Sequence, residues 1–193
     1  MLKIALSSAA VLLTLIAFIP YIRAIVRGFT RPHVFSWVIW GLTTTVVFFA
    51  QWQAEGGLGA IPTGISGAIT LCVALLAFLK RGDNSITPSD WCFLVAALSA
   101  LPFWYLTSNP LWAVIILTTV DLLGFGPTLR KAYGQPMEES ALFYSLFLVR
   151  NLLAVAALES YSLTTVLFPL CIALACALLI AMLLVRRCSL QNY

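Results

Sequence analysis

The sequence predicts an all-α membrane protein of seven transmembrane helices, and three observations carry that prediction. Hydrophobic residues make up 62% of the 193-residue chain and charged residues only 9%, with a mean hydropathy of +1.01. A soluble domain carries about 25% charged residues, so too few polar side chains remain here to cover a water-facing surface. Apolar runs of about 20 residues, long enough to cross a bilayer, recur seven times along the chain. The basic residues fall at alternate breaks between those runs. Lipid offers no hydrogen bonds to an open backbone, so apolar runs of this length have to be helices rather than unpaired strands.

The seven spans are 3–27, 33–52, 58–80, 89–107, 110–131, 138–158 and 163–186. The first has the outline of a signal peptide, with Lys3 ahead of the apolar stretch Ala5 to Ile19. However, Arg23, Arg27 and Arg31 follow it closely, and positive charge after an apolar run opposes translocation, so this span is retained. The second begins after Pro32, with His33 as an interfacial polar residue. In the third, Ala60, Gly64 and Ala68 recur every four residues with Gly67 beside them, a stripe of small side chains that suits close helix packing. Each break carries turn chemistry: Gly28 and Pro32, Gly56-Gly57, Gly82-Asp83-Asn84, Ser108-Asn109-Pro110, Gly134-Gln135-Pro136, and the short Glu159-Ser160-Tyr161-Ser162.

Charge sets the orientation. Arg23, Arg27 and Arg31 surround the first loop, Lys80 and Arg81 the third, Arg130 and Lys131 the fifth, and Arg186 and Arg187 follow the last span. The second, fourth and sixth loops hold no Lys or Arg, but include the acids Glu55 and Glu159; only Lys3 and Arg150 depart from the pattern. The positive-inside rule therefore places the amino terminus outside and the carboxyl terminus in the cytoplasm. Trp52, Trp104 and Trp112 then sit near outer ends and Trp37 and Trp91 near inner ends, as an interfacial belt would place them, with Trp40 one turn deeper.

Several chemistries are excluded. The five cysteines form no CxxC pair and His33 is the one histidine, so the usual metal-site spacings are absent and no metal or cofactor is expected. Cys72, Cys171 and Cys176 lie in apolar runs as small packing residues. No His/Cys/acid cluster or Ser–His arrangement supports an enzyme. The net charge of +4 is spread along the chain rather than gathered into a nucleic-acid footprint.

Two segments repeat one another. Pro20-Tyr21-Ile22-Arg23, then Arg31-Pro32 and Ser36, is matched by Pro127-Thr128-Leu129-Arg130, then Gln135-Pro136 and Ser140. Pro62 and Pro169 fall early in the third span of each group. The chain parses as a first triple-helix bundle (1–82), a linker helix (83–108) and a second triple-helix bundle (109–193). Three spans leave the chain on the wrong side of the membrane; the fourth returns it, so both bundles run in the same sense, as a 3+1+3 parallel repeat. This layout, the outside amino terminus and the paired prolines resemble the PQ-loop and SWEET superfamily. The stretch Arg31-Pro32-His33-Val34-Phe35-Ser36-Trp37-Val38-Ile39-Trp40-Gly41-Leu42 is also similar to a group of bacterial membrane proteins without assigned function. The resemblance implies a seat in the bacterial inner membrane and either solute movement or a sorting-receptor role.

Charges within the bilayer core are costly unless paired, and they tend to mark function. Asp121 lies ten residues before Lys131, ~15 Å deep, and Arg150 twelve residues after Glu138, ~18 Å deep at the helical rise. With the fifth and sixth spans taken as antiparallel neighbours, the two charges are expected to form an ion pair flanked by Asn151. The position matching Asp121 in the first bundle is Thr14, and that matching Arg150 is Val46, beside Thr43, Thr44 and Thr45. Trp40 and Tyr144 occupy matching places in the second span of each bundle and suit a gate, or stacking on a solute. Pro20 and Pro127 each free a carbonyl one turn earlier and suit hinges. The expected function is movement of a small polar solute through a cavity between the bundles. The alternative is a membrane receptor or assembly factor on the same fold that carries nothing across.

Overall fold

The computed structural model describes residues 1–29, 32–80, 88–134, 136–137 and 140–191, with side chains omitted at 89, 90, 126–128, 130, 131 and 191. Arg31, Arg81, the Gly82-Asp83-Asn84 turn, Gln135 and Glu138 lie outside the described residues, as do the side chains of Pro127, Thr128, Arg130 and Lys131. The described chain is helical almost throughout. Its elements are α1 (Leu2–Val26), α2 (Val34–Gln53), a 3-10 turn (Gly57–Gly59), α3 (Ile61–Leu79), α4 (Pro88–Thr107), α5 (Pro110–Gly134), α6 (Ala141–Ala156) and α7 (Leu163–Gln191).

Four stretches are long and apolar enough to cross a membrane: Leu2–Val26, Val34–Gln53, Gly57–Leu79 and Leu163–Leu190. Shorter apolar helices occupy Trp91–Thr107, Pro110–Phe125 and Ala141–Ala156. Only 28–44% of each long apolar window is buried inside the molecule, so most of its greasy surface points outward. A protein in water does not spend apolar side chains this way, and the chain is an all-α membrane-embedded protein.

Helix ends follow local chemistry. The His33 ring caps α2, accepting from the Ser36 amide at 3.4 Å and meeting its hydroxyl at 2.7 Å. Ser140 caps α6 by accepting from the Phe143 amide at 3.2 Å, which sets the described start of that helix inside the expected 138–158 span. Ser162 and Thr165 cap α7 reciprocally: each hydroxyl accepts from the other's amide, at 3.3 and 2.9 Å. The Asn109 side chain accepts from the Leu111 amide at 3.0 Å and starts α5.

The order of packing differs from the order of the chain. α3 packs on both α1 and α2, and α7 packs on both α5 and α6. α1 lies against α6, and α2 against α5, while α4 packs on α5 and more lightly on α2. Small residues bring α2 and α3 together. A Cβ at Gly64 would meet the Phe48 ring at 2.8 Å, and one at Gly67 would meet Thr45 at 2.8 Å, with the Thr45 backbone nitrogen at 3.2 Å. The expected stripe is thus corrected in part: Gly64 and Gly67 make the contact, whereas Ala68 is exposed.

Replacing Gly67 with valine forces the two backbones apart and should destabilise the protein by about 1–3 kcal/mol. Ala68→Val, on the outer face, should change stability by less than about 0.5 kcal/mol. Denaturant unfolding in mixed micelles separates the two, and equal stability of both variants would contradict the close α2–α3 contact.

Candidate solute site

The buried polar side chains are not spread evenly. Lys3 donates to the Leu158 carbonyl at 2.8 Å and Ser7 to the Leu58 carbonyl at 2.7 Å. The amino terminus, the α2–α3 connection and the α6–α7 connection therefore share one end of the bundle. Among the described residues every buried polar group lies between that end and the middle: Ser7 and Thr14 on α1; Thr43, Thr44 and Gln51 on α2; Thr63, Ser66 and Thr70 on α3; Thr118 and Asp121 on α5; Arg150 and Asn151 on α6; Thr164 and Thr165 on α7. The other half is filled by aromatic and aliphatic groups.

Arg150 is 3% exposed, and its guanidinium reaches three neutral oxygens. Nε donates to Thr14 Oγ1 at 3.1 Å, Nη1 to Asn151 Oδ1 at 2.8 Å, and Nη2 to the Pro62 carbonyl at 2.5 Å. The acceptors are set by their own bonds. Thr14 donates its proton to the Ala10 carbonyl at 2.9 Å, leaving lone pairs for the arginine. Asn151 donates from Nδ2 to the Phe147 carbonyl at 2.8 Å, which turns its oxygen toward Nη1. The Phe147 ring adds a face 5.9 Å from the guanidinium carbon. Arg150 thereby ties α6 to both α1 and α3.

Asp121 is 8% exposed and has a different partner. Thr43 Oγ1 lies 2.9 Å from Asp121 Oδ1 and 3.0 Å from the Trp40 carbonyl. A hydroxyl has one proton, so it donates to one acceptor at a time. With a protonated carboxyl the donor can reverse, leaving the Thr43 proton for the Trp40 carbonyl.

The expected ion pair between Asp121 and Arg150 does not form: among the described residues neither charge meets an opposite one. The reason lies in the packing. α5 and α6 are consecutive in the chain, but α7 stands between them, so their facing surfaces are spent on α7. Each charge instead reaches a hydroxyl on the other side of the molecule, Asp121 to α2 and Arg150 to α1.

The remaining expected residues divide. Thr14 and Asn151 join Arg150 directly. Trp40 stands edge-on to Trp37 at 5.7 Å, and its indole nitrogen would lie 3.2 Å from a Cβ at Gly124, one turn from Asp121. Tyr144 is half-buried and edge-on to Phe143 at 5.4 Å, packed against two apolar cores. Pro20 falls inside the unbroken α1 with its ring exposed, and Pro127 lies within the run of α5. Trp37, in the first turn of α2, is partly buried: it stacks on Tyr21 at 5.0 Å and meets Phe18 edge-on at 6.3 Å. Phe18 in turn meets Phe147 across the α1–α6 contact at 5.7 Å. The sequence reading did not anticipate the Pro62 carbonyl or Gln51. A backbone acceptor has no signature in the sequence, but a glutamine in an apolar run was a visible signal.

Both ends of the polar layer are closed. On the near side, Gln51 Nε2 donates to the Thr165 carbonyl at 2.8 Å, the Glu159 amide to the Gly56 carbonyl at 3.1 Å, and the Leu58 amide to Glu159 Oε1 at 3.4 Å. Gly59 presses on the backbone of Leu158, where a Cβ would come within 2.5 Å. On the far side stands the aromatic packing of Phe18, Trp37, Trp40 and Phe147. A separate surface cavity of about 480 Å³ opens at the near end, lined by Trp52, Glu55, Gly57, Leu58, Ile61, Glu159 and Ser160. It shares no residue with the charged layer. No protein-family profile, curated protein or solved structure matches the chain.

The grip on Arg150 can be tested through its acceptors. Thr14→Val removes one bond to a charged donor and should cost about 1–3 kcal/mol. Arg150→Lys keeps the charge but cannot span three acceptors, and should cost as much or more. Reversible unfolding in micelles reads both, and full stability of Arg150→Lys would show that the fork geometry does not matter.

Proposed function

We propose that this chain is a transporter or facilitator of a small polar solute, with the solute passing between two triple-helix bundles in a 3+1+3 arrangement. The observation that supports this best is the pattern of helix contacts. Replacing α1 by α5, α2 by α6 and α3 by α7 turns the α1–α6 contact into the α5–α2 contact, and the α3 wedge into the α7 wedge. The same exchange pairs Thr14 with Asp121. Two copies of one three-helix unit around an axis along the membrane normal account for all of this, with α4 as the linker. The PQ-loop and SWEET resemblance points the same way, and the proposal includes seven spans with the amino terminus outside and the carboxyl terminus in the cytoplasm of a bacterial inner membrane.

On this reading the polar layer lies between the bundles; opening toward the outside would break the loop clasp, and opening toward the cytoplasm would displace the aromatic packing. Pro20 and Pro127 are the proposed bending points, and Trp40 with Tyr144 the proposed inner gate. A carboxyl that shares a single hydroxyl proton with a carbonyl also suits proton coupling at Asp121.

The surface cavity opens to one face and favours a second reading, a membrane receptor or assembly factor that binds there without carrying anything across. Flux decides between the two. In proteoliposomes, Asp121→Asn and Arg150→Leu should each abolish solute uptake while the protein still inserts. Wild-type uptake by either variant would remove these charges from the pathway, and saturable binding without flux in the unmutated protein would favour the receptor. Separately, reporter fusions should place the amino terminus outside and the carboxyl terminus in the cytoplasm. Both ends in one compartment would sink the 3+1+3 arrangement.

A further inference from the structure

We infer that the solute is a small zwitterion, carrying an anionic oxyacid group for Arg150 and a protonated amine for Asp121. The inference rests on the transport reading and deepens it. It starts from what the fold withholds. A buried guanidinium and a buried carboxylate attract each other strongly, and their direct pairing would offset the cost of taking both out of water. Here α7 keeps α5 and α6 apart, so the protein cannot neutralise either charge with the other. Arg150 is left with three neutral oxygens and Asp121 with one hydroxyl. Each charge has a site and no counter-ion among the described residues. A molecule bearing both signs supplies the two missing partners at once, whereas a singly charged one leaves one site uncompensated.

Two further polar atoms belong to the same layer. Thr118 lies one turn from Asp121 on the same face of α5, and its buried hydroxyl has no hydrogen-bond partner. Thr63 follows Pro62, whose carbonyl holds Arg150, and its hydroxyl is likewise buried without a partner. Buried polar atoms are normally bonded, and three in this layer are not, Thr118 Oγ1, Thr63 Oγ1 and Gln51 Oε1; the first two, nearest in sequence to Asp121 and to the Pro62 acceptor of Arg150, suit bonds to a polar ligand. An ammonium has three donors and a carboxylate takes a guanidinium in a two-bond fork, so each group fits the half-site of opposite sign.

The axial spacing suits a small molecule. Asp121 is eleven residues from the start of α5 and Arg150 six from the end of α6, depths of ~16 and ~9 Å below the same end of the bundle. The axial offset between their backbone positions is ~7 Å, short enough for a small molecule to bond to both side chains. On binding, the carboxylate would take over guanidinium donors now given to neutral oxygens. Because one of these oxygens is the Pro62 carbonyl, at the start of α3 beside the loop clasp, the same exchange would loosen the contact that closes the near end.

The test uses the full-length protein in micelles and in proteoliposomes. The probes are L-alanine, L-serine, L-leucine, L-glutamine, glycine betaine and taurine. Each amino-acid probe is accompanied by its amide, which keeps only the positive charge, and by its deaminated acid, which keeps only the negative one. At least one zwitterion should raise the melting temperature and compete for counterflow, with both singly charged analogues at least tenfold weaker. In Asp121→Asn the deaminated acid should bind as well as the parent zwitterion. Thr118→Val, a milder change that preserves the charges, should weaken the zwitterion but not its deaminated acid. Absence of binding across the whole panel overturns the inference, as does equal binding of a singly charged analogue or stabilisation by sodium chloride alone. Flux of a neutral probe such as glycerol or glucose that disappears in Asp121→Asn would overturn the zwitterion while leaving the transport reading intact.

Discussion

Arg150 holds a full positive charge inside an apolar bundle with nothing but neutral oxygens around it, and much of the architecture follows from keeping it there. A buried guanidinium needs its donors satisfied or its desolvation becomes prohibitive. Thr14, Asn151 and the Pro62 carbonyl satisfy three of them, from α1, α6 and α3. Two of those bonds, to Thr14 and to Pro62, join α6 to α1 and α3, and the third stays within α6. The two also fix the register of α6 against α1 and α3, because a one-turn slip of α6 would move the arginine ~5 Å from both Thr14 and Pro62.

The lipid environment explains why so few interactions carry so much. Helix association gains little from the hydrophobic effect in a bilayer, so close packing and polar contacts decide which helices touch. Gly64 and Gly67 let α2 and α3 approach until side chains and backbone are in contact. Around the loops, hydrogen bonds do the same work between the α2–α3 and α6–α7 connections: the Glu159 amide with the Gly56 carbonyl, and the Leu58 amide with the Glu159 carboxylate. The molecule is thus divided along its length. One half is polar and stitched by hydrogen bonds, and the other is dry and filled by rings.

The wedge position of α7 has the largest consequence for chemistry. Sequence neighbours joined by a short loop are normally spatial neighbours, and on that rule Asp121 and Arg150 neutralise one another. With α7 lying between α5 and α6, the charges are separated and Asp121 turns toward Thr43 of α2, Arg150 toward Thr14 of α1. The same order, α3 between α1 and α2, holds in the first half. The position of α7 leaves two opposite charges on neutral partners, with no counter-ion among the described residues.

Apolarity and length determined by themselves that this is a helical membrane protein, and the turn residues located nearly every helix within a few positions. Lipid makes helix the only choice for an apolar run, so local composition suffices. Asp121, Arg150, Asn151 and Thr14 were also legible, because charged and polar groups in apolar runs stand out one by one. Which of them touch was decided only by tertiary structure. Pairing depends on which helix lies between which, and that depends on glycine contacts and loop bonds between residues far apart in the chain. The hold of the Pro62 carbonyl on Arg150 was the least legible, since every residue has a carbonyl and only the fold selects the one that is used.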